Sequence, residues 1–154
     1  MCCALVVDHG NAHVRAPRGQ ALTEFALLLP VLLLILFGLF DLGRAVFAFN
    51  SISNAAREGA RVAIVDQSVV SGVPIAATEA ANQATGLGLD PAADIQVQYL
   101  TPNLGAACPS RGLGCVAEVR VGYEFEAITP IIGSFIGPIQ LASVTQIPIE
   151  HTKP

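Results

Sequence analysis

The sequence predicts an α+β protein with one long apolar helix near its N-terminus. Three observations predict this class. Phe25–Phe40 contains no charged or strongly polar side chain. Two later segments, Ile95–Thr101 and Glu118–Glu126, alternate apolar and polar residues with the period of two that strands show. Charged residues make up only 13% of the 154 residues, whereas an average soluble domain has about 25%.

The apolar run is long enough to cross a membrane once the residues that follow it are included. A spanning helix needs about 20 residues, and the run resumes after Asp41 and continues to Phe49. Asp41 and Arg44 share a helix face and partly neutralise each other. Membrane helices also tolerate a proline such as Pro30, commonly as a kink. We therefore predict a membrane-spanning helix over 20–49 rather than a buried core helix.

The residues before this helix do not look like a secretory signal peptide. No small-residue cleavage site follows the apolar core at a short distance. Arg15 and Arg18 precede Gly19, and Glu24 stands alone at the start of the apolar run. An ionisable residue at the end of a membrane helix indicates a functional role. The spacing from Gly19 to Glu24 resembles the pattern that prepilin peptidases recognise, and those enzymes cut after the glycine on the cytoplasmic side.

The segment from Arg18 to Val65 resembles the N-terminal part of TadE-like proteins. These proteins are minor pilins or pseudopilins of the tight-adherence (Tad, or Flp) pilus, a branch of the type IV pilus superfamily. Three motifs carry the resemblance in register: RGQALTEFALLLP, FGLFDLGR and NAAREGAR. Major pilins of this system often have tyrosine after the glutamate, whereas Phe25 here is more similar to the TadE branch.

The resemblance implies a pilin-like organisation of the chain. A leader (1–19) would be cut off between Gly19 and Gln20, and the membrane helix (20–49) would continue into a stalk (50–65). An exported α+β head domain would follow (66–154). Two helices broken near residue 50 are the alternative for the stalk. The implied partners are the membrane, the prepilin peptidase, other pilins and Tad assembly proteins.

Glu24 and Phe25 are the residues that the resemblance assigns to subunit assembly. Cleavage would leave a positive α-amino group on Gln20, and Glu24 of a neighbouring subunit would pair with it. A lone carboxylate in hydrocarbon is very costly, so a partner charge is needed. The alternative is that Glu24 is an interfacial acid that favours the helix dipole.

The orientation of the helix follows from the resemblance more than from charge. Arg15 and Arg18 flank the run on one side, while three arginines follow it on the other, so the charge rule is close to balanced. We predict a single-pass protein of the inner or cytoplasmic membrane, incorporated in a pilus or retained beside it. Its N-terminus would be cytoplasmic, and its C-terminal domain periplasmic or extracellular.

The head domain is predicted to hold a second, short helix and an antiparallel sheet of three to four strands. Pro74–Thr85 has a proline in its first turn and Gly86 just after its end, as helices do. Ile139–Ile149 is a third strand, placed at an edge by Pro148. Asp66–Val73 is expected to be a loop. The apolar segment Pro130–Ile136 either caps the core or contacts the membrane or a partner subunit.

Cys108 and Cys115 are predicted to form a disulfide, because the domain that carries them is exported. Closing so short a loop stabilises a domain by roughly 2–3 kcal/mol in the chain-entropy model. A redox or metal pair would need further ligands, and only His151 remains once the leader is removed. The leader also holds four residues of types that bind metals, but their spacing fits no zinc site; they are Cys2, Cys3, His9 and His13. We predict no metal and no cofactor.

The sequence offers no catalytic set. A nucleophile needs a base and an orienting group, and the mature chain has one histidine, in its tail. Glu124 and Glu126 lie on one face of a predicted strand and could form a pair of acids, but a solvated strand face is the simpler interpretation. There is no glycine-rich phosphate loop, and the net charge of −4 argues against nucleic acid as a partner. We predict a structural minor pilin that is not an enzyme and takes no small-molecule substrate. The alternative is an uncleaved, single-pass membrane-anchored extracytoplasmic binding module.

Overall fold

The computed structural model describes residues 19–109, 111–129, 133–134 and 136–150. It confirms the predicted α+β class. The elements in chain order are α1 (Gln20–Val65), β1 (Val69–Val70), β2 (Val73–Pro74), α2 (Ile75–Gln83), β3 (Ile95–Leu100), β4 (Val116–Phe125) and β5 (Ile139–Pro148). The chain divides into two compact units, the first ending at Leu36 and the second beginning at Phe37.

The first unit consists, in its described part, of the N-terminal portion of α1. Every described residue up to Leu36 is exposed, so the leucines and isoleucines of this portion have no protein cover within the unit. The predicted helix bounds, Gln20 and Val65, are confirmed, and no break occurs near Asn50. Within the described residues, α1 is the helix that is long and apolar enough to cross a membrane.

The second unit is built on a three-stranded antiparallel sheet of order β3-β4-β5. The sheet buries one face, because Val119, Val121 and Phe125 of the central strand are buried while Arg120 and Glu124 are exposed. The alternation in the sequence predicted this arrangement. The strand that ends with a proline, β5, lies at an edge, which confirms the position predicted for it.

The core of the second unit joins α1, α2 and the sheet through small side chains. Such residues let two helices approach each other closely, because there is little volume between their backbones. The largest fully buried aliphatic side chains are only Ile52, Val119 and Val121. The small buried residues that surround them are Ala55, Ala56, Gly59, Ala60 and Ala63 of α1 and Ala76, Ala77 and Ala80 of α2.

The segment predicted as a loop over Asp66–Val73 contains a small hairpin instead. β1 and β2 pair antiparallel across a turn in which Ser71 and Gly72 both have positive φ, 54° and 84°. Positive φ at both central residues is the signature of a type I′ turn, which matches the twist of paired strands. Strands of two residues are too short to show an alternating pattern, so the sequence could not indicate them.

Helix α2 is slightly shorter than predicted at both ends. Pro74 is the N-cap rather than the first helical residue, and the helix ends at Gln83. The following chain turns at Gly86, whose φ is +92°. A left-handed conformation of this kind favours glycine, as the sequence pattern indicated.

Candidate functional site

The predicted processing site lies at the very start of α1. Gly19 immediately precedes the helix, and its carbonyl oxygen accepts a hydrogen bond from the N–H of Thr23 at 3.2 Å. Gly19 and Gln20 are exposed. Within the described residues, no heavy atom lies within 4 Å of the place that a Cβ on Gly19 would take. Packing among the described residues therefore does not require glycine at position 19.

The acid predicted to act in assembly is one turn further along the same helix. Glu24 accepts a hydrogen bond from the side-chain amide of Gln20, with 3.4 Å between Nε2 and Oε1. Both side chains are exposed, and Phe25 beside them is 59% exposed. No cationic side chain of the described residues forms an ion pair with Glu24. The structure therefore places the four predicted residues on two adjacent turns at the start of α1.

A second polar feature lies on α1 where the second unit begins, and the sequence did not predict it. The two carboxylate oxygens of Asp41 accept hydrogen bonds from the backbone N–H groups of Ile128 and Thr129, each at 3.0 Å. The Asp41 side chain is only 8% exposed. We call these residues, together with Arg44 and Phe125, the Asp41 junction.

Arg44 completes the junction from one helix turn away. Its Nη1 lies 3.6 Å from Oδ1 of Asp41, and its guanidinium carbon lies 5.4 Å from the centre of the Phe125 ring. It also donates to the carbonyl oxygen of Glu126 at 3.5 Å. Asp41 and Arg44 do interact, as predicted. The shorter contacts of Asp41, however, are with two backbone donors of the head, and hydrogen bonds to an ionised group are the stronger kind.

Comparison with known proteins decides the nature of the N-terminal segment. Residues 19–61 match the family model described as TadE-like protein. Residues 19–61 are therefore similar to TadE-like proteins, and we call them the TadE-like segment. No curated protein and no solved structure matches the chain.

The TadE-like segment contains the predicted processing and assembly residues and also the helical residues of the Asp41 junction. Gly19, Gln20, Glu24 and Phe25 lie in its first turns, and the Asp41 junction takes its helical residues from its middle. The match ends at residue 61, so the sheet and its connections lie outside the TadE-like segment.

The predicted disulfide lies in the part of the chain that follows the TadE-like segment. The structure joins Cys108 and Cys115, with their Cα atoms 6.0 Å apart. The N–H of Cys108 donates to the carbonyl oxygen of Tyr99 at 2.8 Å, and the carbonyl of Cys115 accepts from the N–H of Ile149. The bridge thus links the end of β3 to the start of β4, the connection that the sequence indicated.

A shallow cavity of about 310 Å³ adjoins the bridge, and two of its polar side chains already form hydrogen bonds within the protein. The Tyr99 hydroxyl donates to the carbonyl oxygen of Ala63 at 3.1 Å, and the Gln67 side-chain amide donates to the carbonyl of Arg111 at 2.6 Å. Burial raises the pKa of Tyr99, and the charge of Arg111 opposes that rise. Among the described residues, no group of three or more His, Cys, Asp or Glu side chains is placed to hold a metal ion.

Proposed function

We propose that this chain is a structural minor pilin or pseudopilin that takes part in assembling a Tad-type adhesive pilus. One observation carries the proposal. The TadE-like segment begins with an apolar helical portion that is exposed up to Leu36, and its first turns hold a carboxylate without a cationic partner among the described residues. A helix of this kind needs lipid or other helices around it, and its acid needs a positive charge.

The proposed maturation step supplies that charge. Cleavage between Gly19 and Gln20 by a prepilin peptidase would leave a free α-amino group on Gln20, which is positive near neutral pH. In an assembled pilus, Glu24 of one subunit would pair with this amine on a neighbour and so fix the register between two helices. Among the described residues, Glu24 bonds to the neutral amide of Gln20, with 3.4 Å between Nε2 and Oε1.

The proposed placement follows from the same step. Prepilin peptidases cut on the cytoplasmic side, so the leader would be cytoplasmic and the unit from Phe37 onward would extend to the outer side of the inner or cytoplasmic membrane. The partners would be other pilins, Tad assembly proteins and the peptidase. The TadE-like family is structural and pilus-associated, and we propose no catalytic activity, nucleic-acid partner or small-molecule substrate for this chain.

A charge-neutral substitution tests the assembly role directly. In a host strain that lacks its own copy, the Glu24→Gln variant should be made and cleaved normally but should support few pili. Breaking a buried charge pair costs ~3–5 kcal/mol, and 1.4 kcal/mol is tenfold in an equilibrium, so we expect pili per cell to fall by about tenfold or more. Pili would be counted by electron microscopy of negatively stained cells.

Glu58→Gln is the matched control for this substitution. Glu58 is also a glutamate of α1, and its contact is a 3.6 Å ion pair with the exposed Arg61. Exposed pairs of this kind contribute little, so piliation should remain at the level of the unmodified chain. Normal piliation with Glu24→Gln would contradict the assembly role and favour a membrane-anchored binding module.

A further inference from the structure

We propose that the solvent-facing side of the sheet carries a binding site for a neutral, hydroxyl-rich glycan, centred on Gly122 of β4. The site lies entirely within the unit that begins at Phe37 and outside the TadE-like segment. The proposal rests on the proposed function for one point only, which is that the exported head of an adhesive pilus subunit meets a surface.

A cavity of about 220 Å³ opens on this side of the sheet beside Gly122. The register of β4 with β5 runs unbroken through this position, so a bulge does not explain the glycine. Its neighbour on β5 is Ala142, and on the other side its N–H donates to the carbonyl oxygen of Asp94 at 2.8 Å. A glycine inside a strand weakens the strand and often marks a place where a ligand approaches the backbone closely.

Four polar side chains surround the cavity, two on either side of the glycine along the strands. Gln96 of β3 pairs with Arg120 of β4, and Glu124 of β4 pairs with Gln140 of β5. All four residues are exposed. Within the described residues, none of these side chains forms a hydrogen bond or an ion pair, so their donors and acceptors are available to a ligand.

The chemistry of this set matches the hydroxyl groups of a sugar, which both donate and accept. Each glutamine amide donates and accepts, the guanidinium only donates and the carboxylate only accepts. The charges of Arg120 and Glu124 balance, and the carboxylate of Asp94 already accepts a hydrogen bond from the N–H of Asp90 at 2.8 Å. A charged ligand of either sign would therefore meet a group of its own sign, which is costly, whereas a neutral ligand would not.

The dimensions of the site favour a segment of a glycan chain over an enclosed small molecule. Arg120 and Glu124 are four residues apart on one strand, which separates their Cα atoms by about 13–14 Å. The cavity between them is smaller than the ~300–1,000 Å³ of sites that enclose a drug-sized ligand. A ligand would therefore lie along the sheet and extend beyond the cavity, as a chain of sugar units does.

A second protein copy is a poorer match for this face. Protein interfaces are centred on large apolar or aromatic anchors, and charged residues are depleted from their centres. The side chains that flank Gly122 along the strands are instead two amides, one cation and one carboxylate. The aromatic residue of the lining, Tyr123, is half-buried against the core rather than presented as an anchor.

Glycan binding to the full chain tests the site. The chain would be held in phosphatidylcholine nanodiscs, because detergents with sugar headgroups would compete for the site. The probes, each biotinylated and immobilised for biolayer interferometry, are the neutral cellohexaose and chitohexaose and the anionic hexagalacturonate.

Two variants alter the site and one serves as a matched control. Gly122→Val fills the cavity without removing a polar group, and a Cβ there meets only the carbonyl oxygen of Asp94, at an ordinary 3.7 Å. Glu124→Ala removes an exposed acceptor. The control is Glu118→Ala, on the same strand and face, whose carboxylate already accepts a hydrogen bond from the side chain of Gln146 at 2.6 Å.

We expect a neutral hexamer to bind the unmodified chain and Glu118→Ala equally. Its affinity should fall about tenfold in Glu124→Ala, as the loss of one hydrogen bond to a charged group predicts, and binding should be lost in Gly122→Val. Hydrogen exchange of β4 in Gly122→Val shows whether the sheet is intact, and Glu124→Ala tests the site even if it is not.

Equal binding by the unmodified chain, Gly122→Val and Glu124→Ala would overturn the placement of the site. Failure of both neutral hexamers to bind, or binding of hexagalacturonate alone, would overturn the neutral glycan as the ligand. A loss of pili in cells that carry Gly122→Val would assign the face to a protein contact instead. The pili counted with Glu24→Gln report the assembly role separately, so a failed glycan site would leave that role standing.

Discussion

Replacing Gly59 by alanine is expected to destabilise the packing of the head on α1 by about 1–3 kcal/mol, as overpacking does. A Cβ at this position would lie 2.9 Å from the Cβ of Ala80, 3.0 Å from the carbonyl oxygen of Ala76 and 3.2 Å from Cγ1 of Val119. Two of these neighbours are a backbone atom and a methyl carbon fixed to the backbone, so neither can rotate away. Gly59→Val should cost more.

Gly43→Ala is the control for this prediction, because alanine favours a helix over glycine by about 1 kcal/mol. Within the described residues, nothing lies within 4 Å of a Cβ at Gly43, so only that gain should appear there. Hydrogen exchange of β4, measured by mass spectrometry on the full chain in detergent micelles, reports the opening of the sheet. A net loss of 1.4 kcal/mol corresponds to about tenfold faster exchange. Equally slow exchange in the two alanine variants would contradict the close packing.

Replacing Asp41 by alanine is expected to free the connection after β4 at a cost of about 2–4 kcal/mol. The substitution removes the acceptors of two backbone N–H groups, those of Ile128 and Thr129, and an unsatisfied buried donor costs ~1–3 kcal/mol. Thr129 is only 7% exposed, so water cannot fully replace the carboxylate. Exchange of the amides from Glu126 to Thr129 should accelerate strongly, while the central residues of β4 change less.

Arg44→Ala separates the role of the carboxylate from that of its ion pair. The Arg44 side chain is 45% exposed and 3.6 Å from Asp41, and exposed pairs contribute about 0–1 kcal/mol. The loss of stability in Asp41→Asn should lie between the losses in Asp41→Ala and Arg44→Ala. Asparagine keeps one acceptor oxygen but turns an amide donor toward a backbone N–H. If Asp41→Ala and Arg44→Ala gave the same exchange pattern, the hydrogen bonds to the head would not be the main contribution of Asp41.

The sequence predicted the elements whose patterns are long and regular. The bounds of α1 could be predicted because its apolar run continues past Asp41 and Arg44, which share one helix face, and the segment to Val65 stays compatible with a helix. The buried face of β4 could be predicted from strict alternation around Val119 and Val121. The strands β1 and β2 could not be predicted, because each has two residues, too few to show a periodic pattern. The small buried residues of α1 pack against α2 and β4, and only the fold identifies these two partners.

The site was predictable only where a motif is local. Gly19 and Glu24 stand in a recognisable order within one short segment, although their roles stay predictions because they involve a peptidase and a second chain. The Asp41 junction was missed because its partners are backbone N–H groups 87 and 88 residues away. Any residue type can supply such a donor. The one available signal was an isolated acid in an apolar run, which the nearby Arg44 already explained.

The most direct test of a pilin-type role is the intact mass and N-terminal sequence of the protein from native membranes, with and without the host's prepilin peptidase. The same mass, before and after reduction and alkylation, reports whether Cys108 and Cys115 are joined. We predict a mature N-terminus at Gln20 that disappears in the strain without the peptidase. An intact leader in both strains would contradict the pilin role, because Glu24 would then have no amine to meet, and would favour an anchored binding module.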